Sequence, residues 1–314
     1  TTDSGNLWTA QSSGTTNLLC DVYFQNEYEG VAVGDNGTII TTSNGGTSWT
    51  PRSSGITDQL RSISFSDSIN GTIVGTSGII LRTIDGGTSW SLQSSGTTFH
   101  LFDVAFIDVN NGIAVGWYGT ILITTNGGNS WLPQSCGYAY DFYSVTYVNQ
   151  NQLVVVGDNG SIFKSTDGGI IWLRKPSGTS NILNFINFSD SNNGVAVGWF
   201  GTILKSTDGG ENWNIHSGGP NTYLLNVCFP STSLGIAVGE YWNDTSYVGS
   251  ILTTGDGGTN WTEQRILAAT TLWGVSFADT NNGLIVGSRW NGNSYEGLII
   301  KTTDGGISWV EQLI

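Results

Sequence analysis

The hydrophobic pattern of this chain repeats seven times. In each copy a short apolar segment ends in Val-Gly, a Gly-containing turn and a second apolar segment follow, and Thr-x-Asp-Gly-Gly-x-x-Trp or a close variant ends the copy. The Val-Gly pairs are Val33-Gly34, Val74-Gly75, Val115-Gly116, Val156-Gly157, Val197-Gly198, Val238-Gly239 and Val286-Gly287. The tryptophans recur every 41 residues from Trp8 to Trp213, and every 48 residues after that. A period of about 40 residues with four strand-like segments predicts an all-β fold. Seven such copies predict a seven-bladed β-propeller of four-stranded blades.

The second copy shows the four predicted strands of one blade. Leu60–Phe65 alternates in polarity and predicts strand A, Thr72–Gly75 predicts strand B, and Ile79–Thr83 predicts strand C. Strand D begins at Trp90 after the Asp-Gly-Gly turn. The short apolar strand B is typical of a central strand that is buried on both faces. We expect the Asp85 carboxylate to accept backbone N–H groups of its own turn, as in an Asx-turn.

We expect a single domain over residues 1–314, with blades at approximately 15–55, 56–96, 97–137, 138–178, 179–219, 220–267 and 268–314. An eighth D-type strand, Leu7–Gln11, precedes the first blade. An open propeller exposes two sheet edges, so we expect residues 1–14 to close the ring by joining blade 7. The segment 309–313 competes for the same edge, and the alternative for residues 1–14 is a remnant of an earlier repeat.

These repeated residues resemble known propeller repeats. The stretch Thr83-x-Asp85-Gly86-Gly87-x-x-Trp90 resembles the Asp-box, or BNR, repeat, and Gly112–Gly116 resembles strand B of the photosystem II stability/assembly factor family. The resemblance covers essentially the whole chain and implies a propeller. It also implies a basic patch that contacts an assembly partner, whereas this chain is acidic and poor in arginine. Asp boxes occur as well in sialidases, xyloglucanases and sortilin-type receptors, so the fold alone does not give the function.

Charge and hydropathy exclude some partners. The formal net charge is −14, with only 10 Lys and Arg residues, and such a surface repels nucleic-acid phosphates. No apolar run reaches the roughly 18 residues of a membrane helix, so we expect no membrane insertion.

Thr1–Gly5 contains no initiator Met and predicts a mature N-terminus or an excised domain. We expect a location outside the cell or at its surface, with the periplasm as the alternative. We expect Cys20, Cys136 and Cys228 to be buried free thiols, and the sequence does not predict an oligomeric state.

The turns divide between two predicted faces. A–B turns share one face with the Asp-Gly-Gly turns between strands C and D, and B–C turns share the other face with the D–A loops. The A–B turns repeat one polar motif, as in Ser189–Gly194, and Asx-turn hydrogen bonds explain its Asp and Asn residues. Their spacing does not match a calcium loop. We therefore predict no metal and no cofactor.

The B–C turns depart from the repeat by carrying aromatic residues. Blades 1 and 4 have Asp-Asn-Gly there, whereas blades 3 and 5 have Trp-Tyr-Gly and Trp-Phe-Gly, and blades 6 and 7 carry seven-residue insertions that share Trp-Asn-x-x-Ser-Tyr. Aromatic rings among Asn, Asp and Ser are typical of a recognition surface for a protein or a glycan. The alternative is that they cover the mouth of the channel. The predicted ligand-binding residues are Trp117, Tyr118, Trp199, Phe200, Tyr241, Trp242, Tyr247, Trp290 and Tyr295.

The residue pattern favours a binding protein over an enzyme, and we assign no catalytic residue. His100 and His216 lie far apart in the repeat, and the arginines do not form the cluster that a sialidase needs. A glycosidase needs only two carboxylates, and under that alternative the pair is Asp21 and Asp103, which share one position of strand A in blades 1 and 3.

The leading hypothesis is a secreted or cell-surface propeller that recognises a protein or glycan through its B–C turns and D–A loops. The first alternative is a polysaccharide-degrading glycosidase with carboxylates on that face. The second is a structural repeat domain of a surface assembly.

Overall fold

The computed structural model describes residues 12–268 and 270–312. In these residues, 28 strands form seven four-stranded antiparallel sheets, and each sheet follows chain order from strand A to strand D. The strands of blades 1 to 4 are β1 (Leu19–Phe24), β2 (Gly30–Gly34), β3 (Ile39–Thr42), β4 (Thr50–Arg52), β5 (Leu60–Phe65), β6 (Gly71–Gly75), β7 (Ile80–Thr83), β8 (Ser91–Gln93), β9 (Leu101–Phe106), β10 (Gly112–Gly116), β11 (Ile121–Thr124), β12 (Leu132–Gln134), β13 (Phe142–Tyr147), β14 (Leu153–Gly157), β15 (Ile162–Ser165) and β16 (Leu173–Arg174).

The strands of blades 5 to 7 are β17 (Leu183–Phe188), β18 (Gly194–Gly198), β19 (Thr202–Ser206), β20 (Asn214–Ser217), β21 (Thr222–Cys228), β22 (Gly235–Trp242), β23 (Tyr247–Thr254), β24 (Thr262–Ala268), β25 (Thr270–Phe277), β26 (Gly283–Trp290), β27 (Tyr295–Thr302) and β28 (Val310–Gln312). Single 3-10 turns follow strand B in the first five blades, at Asp35–Gly37, Thr76–Gly78, Trp117–Gly119, Asp158–Gly160 and Trp199–Gly201. The fold is a seven-bladed β-propeller, which confirms the class that the repeat predicts.

The described residues fall into two compact units. The first unit contains residues 12–155 and 163–173, that is, blades 1 to 3 and most of blade 4. The second unit contains residues 156–162 and 174–312 apart from residue 269, and includes blades 5 to 7. The predicted assignment of the whole chain to one domain stays a prediction.

The B strands lie at the centre of each hydrophobic core. In blades 1 to 5 every residue of strand B is buried, as the continuous apolar pattern predicts. The cores form where neighbouring blades pack together. In the first unit Val31 and Val33 of blade 1 pack with Leu60 and Phe65 of blade 2. In the second unit blades 5 and 6 share a comparable cluster.

The Asp-Gly-Gly turn is held by its own side chains. Asp85 Oδ1 accepts the Ser89 N–H at 2.9 Å, and Ser89 Oγ donates to Asp85 Oδ2 at 2.6 Å. These bonds hold the pKa of Asp85 below its usual value. Trp90 donates its indole N–H to the carbonyl of Gly87 at 3.0 Å and meets the Phe65 ring edge to face. The turn therefore orients the tryptophan into the core between blades 1 and 2, so Asp85 has the structural role that the sequence predicts.

The last described strand completes blade 7. β28 pairs with β27 through Ile300 opposite Glu311 and Lys301 opposite Val310. The segment Leu7–Gln11 lies outside the described residues, so closure of the ring by residues 1–14 stays a prediction.

The expectation of three buried thiols is wrong for one cysteine. Cys136 is buried and Cys228 is partly buried, but Cys20 is exposed. Cys20 lies on β1, where the side chains are exposed or only partly buried, so its place on a strand A does not bury it. All three thiols are free.

In blades 1, 2, 3 and 5 strand B ends in a glycine, and the chain at the start of strand A passes directly over it. A Cβ at Gly198 would overlap the carbonyl oxygen of Ile182, and one at Gly116 would overlap that of His100. The same close approach allows the Trp199 N–H to donate to the Ile182 carbonyl at 2.9 Å, which fixes the start of the B–C turn.

We predict that Gly198→Ala lowers the free energy of unfolding by about 3 kcal/mol or more, because the atom that must move belongs to the backbone. Gly255→Ala is the matched control, since a Cβ there meets no atom within 4 Å. Urea unfolding followed by tryptophan fluorescence measures both variants. Equal midpoints for the two variants would show that strand A does not constrain this position.

Candidate functional site

The B–C turns of the first five blades place one residue in the left-handed region. The residue in the middle of each turn has a φ between +53° and +56°, at Asn36, Ser77, Tyr118, Asn159 and Phe200. This conformation costs an L-residue roughly 1–2 kcal/mol, and Asn tolerates it best among residues with a Cβ. Blades 1 and 4 follow this preference, whereas blades 3 and 5 place an aromatic ring there.

These two rings gain little from burial. Tyr118 is 60% exposed and Phe200 is 49% exposed. A large side chain at a strained turn position would lower the free energy of the fold only if the core covered it. Burial in the core therefore does not offset the cost of the left-handed backbone at either ring.

In the first unit the rings around the B–C turn of blade 3 form one connected cluster. The Trp117 ring lies 3.9 Å from the His100 ring and 6.0 Å from Phe102, between ring centroids. Phe102 in turn lies 5.3 Å from Tyr143, and Tyr118 lies 4.9 Å from Phe99. Trp117 is half-buried in this cluster, whereas Tyr118, whose ring centroid lies 6.3 Å from that of Trp117, is an exposed member.

The sequence places Arg61 and Tyr143 on this face, and Phe102, which lies between them, is the residue that sequence reasoning missed. Arg61 places its guanidinium 4.8 Å from the centre of the Phe102 ring, and Phe102 contacts Tyr143. The three residues are 41 positions apart, at equivalent places on strand A of blades 2, 3 and 4. That spacing is the signal that could have found Phe102, although it does not show that the three side chains meet.

Two D–A loop residues hold the B–C turns of the first unit. His100 Nδ1 accepts the Ser77 N–H at 2.9 Å, and Asp141 Oδ1 accepts the Tyr118 N–H at 2.8 Å. His100 and Asp141 are also 41 positions apart. Burial, and then the nearby Arg61 charge, lower the pKa of His100, which keeps its Nδ1 free to accept. Both turns are thus fixed by a neighbouring side chain.

In the second unit a separate cluster joins blades 5 and 6. Tyr223 lies 5.6 Å from Trp199, 5.5 Å from Phe200 and 6.3 Å from Tyr247, between ring centroids. Tyr247 lies 5.0 Å from Trp242. The structure therefore brings together four of the predicted binding residues, and Tyr223 at the start of strand A is the residue that connects them.

The insertions of blades 6 and 7 form two similar hairpins. β22 and β23 pair as far as Trp242 opposite Tyr247, and β26 and β27 pair as far as Trp290 opposite Tyr295. The ring centroids are 5.0 Å apart in the first hairpin and 5.1 Å apart in the second. The tips are fixed in the same way: Asn243 Oδ1 accepts the N–H groups of Thr245 and Ser246, and Asn291 accepts those of Asn293 and Ser294.

Tyr241 does not join these ring pairs. Successive side chains of a strand point to opposite faces, so Tyr241 lies opposite to Trp242. Its ring is covered by the Arg265 guanidinium at 3.5 Å, and Arg265 also pairs with Glu263 at 2.9 Å. The predicted binding role of Tyr241 stays a prediction.

Comparison with known proteins decides the family. The family model described as photosynthesis system II assembly factor YCF48 matches residues 1–95 and 132–205, which is more than half of the chain. The chain belongs to this family. A search of curated proteins gave no match.

Solved structures show the same fold for this family member. A structure described as YCF48 bound to D1 peptide is 21% identical, covers 95% of each chain and has a TM-score of 0.71. YCF48 from Cyanidioschyzon merolae is 20% identical, with 87% of this chain and 94% of that chain covered and a TM-score of 0.67. An ancestral GH74 enzyme is 16% identical, with 97% of this chain but 55% of that chain covered and a TM-score of 0.64. Identities this low show a shared propeller fold.

Asp21 and Asp103 connect neighbouring blades in this YCF48-family chain. Asp21 Oδ2 accepts the Ile63 N–H of blade 2 at 2.9 Å, and Asp103 Oδ2 accepts the Val145 N–H of blade 4 at 2.9 Å. Ser62 donates to Asp103 Oδ1 at 3.2 Å. Each carboxylate therefore ties its own strand A to the strand A of the next blade, and the catalytic alternative for this pair stays a prediction.

Burial perturbs both carboxyl groups. It raises the pKa of Asp21 to about 6 against the opposing hydrogen bonds from Ile63 and Val22, and it raises the pKa of Asp103 as well.

Among residues 12–268 and 270–312, no three His, Cys, Asp or Glu side chains cluster closely enough to hold a metal ion. The described helical turns are too short for any of them to span a bilayer.

We predict that Asp21→Asn flattens the dependence of stability on pH between about pH 4 and 6. The pKa of an aspartic acid in an unfolded chain is about 3.9, below the value of about 6 for Asp21 in the folded chain. Between these two values the folded chain binds more protons than the unfolded chain, so its free energy of unfolding falls as pH rises. Urea unfolding of the wild type and the variant at several pH values measures this slope. Asp190→Asn is the control, because hydrogen bonds from Asn193 lower the pKa of Asp190. An unchanged slope in the Asp21 variant would contradict the assignment.

Proposed function

We propose that this chain binds a segment of another protein through the aromatic residues of its B–C turns and D–A loops. The observation that carries the proposal is the pair Tyr118 and Phe200, two exposed rings on left-handed backbone where Asn serves in blades 1 and 4. Tyr and Trp supply large, rigid contact areas at a low entropic cost, which suits recognition of a peptide.

Family membership supports a peptide as the ligand. A YCF48 propeller of the same fold has been solved with D1 peptide bound. The basic patch that family resemblance implies has few candidates here, because Arg82, Arg265 and Arg289 all make internal contacts. We therefore place recognition on the aromatic rings.

We predict that Trp199→Ala, Trp242→Ala and Trp290→Ala each weaken retention of the partner protein at least about tenfold, the range of an interface hot spot. Because these side chains are exposed by about 36% or more, we expect each melting temperature to stay within about 2 °C of wild type. Affinity capture followed by quantitative mass spectrometry, together with thermal unfolding, measures both properties.

Leu92→Ala is the matched control, because Leu92 is a large exposed apolar residue on the outer strand β8, away from the B–C turns. The proposal fails if this control weakens retention equally, or if the tryptophan variants unfold. A glycan array probed in parallel tests the glycan hypothesis. Release of reducing ends from β-glucans that disappears in Asp21→Asn or Asp103→Asn would support the glycosidase alternative instead. The expected location outside the cell stays a prediction.

A further inference from the structure

The two hairpins of blades 6 and 7 combine exposed rings with negative charge. We define the twin-hairpin surface as residues 240–248 and 288–297. Trp290 is 43% exposed and Tyr295 is 72% exposed, so ring faces in the second hairpin are open to a ligand. The first hairpin adds Trp242 and Tyr247, also exposed.

Adjacent blades hold the hairpins in place. Glu240 Oε2 accepts the Thr271 hydroxyl at 2.5 Å, which ties the blade 6 hairpin to strand β25 of blade 7. The Trp273 N–H donates to Ser288 Oγ at 3.1 Å, which ties the blade 7 hairpin to the same strand. Since both hairpins are anchored to β25, their ring pairs are displayed from one fixed support.

Carboxylates outnumber cations on this surface. The charged residues of this surface are Glu240, Asp244, Glu296 and Arg289, which give a net charge of −2. The Arg265 guanidinium, which covers the Tyr241 ring, is paired with Glu263. Arg289 is engaged by Glu311 at 3.1 Å and by Glu296 at 4.0 Å. Burial raises the pKa of the Tyr247 hydroxyl, and the negative charge of Glu240 adds to that shift. Asp244 is exposed at the tip of its hairpin.

We propose that the twin-hairpin surface binds a lysine-bearing peptide segment, whose ammonium groups lie against the Trp-Tyr ring pairs and beside the carboxylates. A cation is attracted to the face of an aromatic ring, most strongly to Trp, and a nearby carboxylate adds to that attraction. The formal net charge of −14 draws a cationic partner towards the chain and repels an acidic one. This proposal rests on the proposed function and names the chemistry of the partner.

The test uses four peptides of ten residues: decalysine, deca(Nε-acetyl-lysine), decaglutamate and a neutral Gly-Ser repeat. We expect decalysine to bind at least about tenfold more tightly than the other three, with binding weakened at 0.5 M NaCl. Fluorescence anisotropy of labelled peptides with the whole chain measures the affinities. Equal binding of acetylated and unmodified peptide would overturn the proposal, because only the cation differs between them.

Two sets of variants separate the rings from the charges. Trp242→Ala combined with Trp290→Ala keeps every charge, so a loss of decalysine binding reports contact with the rings, and unchanged binding would mean diffuse attraction and overturn the proposal. Asp244→Asn combined with Glu296→Gln removes two charges, and Asn suits the left-handed backbone of residue 244, where φ is +71°. Its control is Glu27→Gln with Glu29→Gln, two carboxylates of an A–B turn. We expect the hairpin pair to weaken binding at least threefold more than the control pair, and an equal effect would contradict a local site.

The result is distinguishable from failure of the proposed function. One outcome is that the tryptophan variants lose the partner protein while its retention is unchanged by salt and by the charge variants. In that case the proposed binding function stands and the proposal of a lysine-bearing segment is wrong. If the tryptophan variants retain the partner fully, the proposed function itself fails.

Discussion

The B–C turns of blades 1, 2, 3 and 5 depend on the close passage of the chain at the start of strand A over the glycine that ends strand B. At Gly116 and Gly198 the carbonyl oxygen of the residue just before strand A occupies the space that a Cβ would need. The next N–H group donates to that same carbonyl, at Trp117 and at Trp199, so the backbone of the turn is set before any turn side chain is considered. A turn that is fixed by the scaffold can display any residue at its tip, provided that the left-handed conformation of the middle residue is accepted.

That freedom explains how one scaffold carries two kinds of turn. Where the tip has only a structural task, it holds Asn36 or Asn159, which accept a positive φ readily. Where it carries Tyr118 or Phe200, the chain accepts strain and exposed apolar area together. The Asp-Gly-Gly turns carry no aromatic residue before their tryptophan, although Ile170, Ile171 and Ile307 are exposed there. Local hydrogen bonds hold the carboxylate of these turns, as at Asp85. Structural and displayed residues are thus separated at opposite ends of the same strands, within each unit.

The fold could be predicted well from the sequence because each blade of a propeller repeats the same sequence pattern. The strands of each blade, the burial of strand B and the task of Asp85 all follow from local patterns that recur every 41 residues. The site could be predicted only in part, because contacts between blades depend on distances that a repeat does not specify. The stacking of Arg61 on Phe102 and the turn of Tyr241 away from its neighbours towards Arg265 are examples. Cys20 was wrongly expected to be buried because a place on strand A was taken to imply burial, whereas the side chains of β1 are exposed or only partly buried.

The double variant Tyr118→Asn, Phe200→Asn tests most directly whether the turn aromatics are kept for binding at the expense of stability. We expect its free energy of unfolding to equal that of wild type or to rise by about 1 kcal/mol, since Asn relieves the left-handed backbone at both sites. In the same preparation, we expect retention of the partner protein to fall at least about tenfold. A variant that is destabilised by more than about 1 kcal/mol and still retains its partner would show that these rings cover the ends of the blades and that the account is wrong.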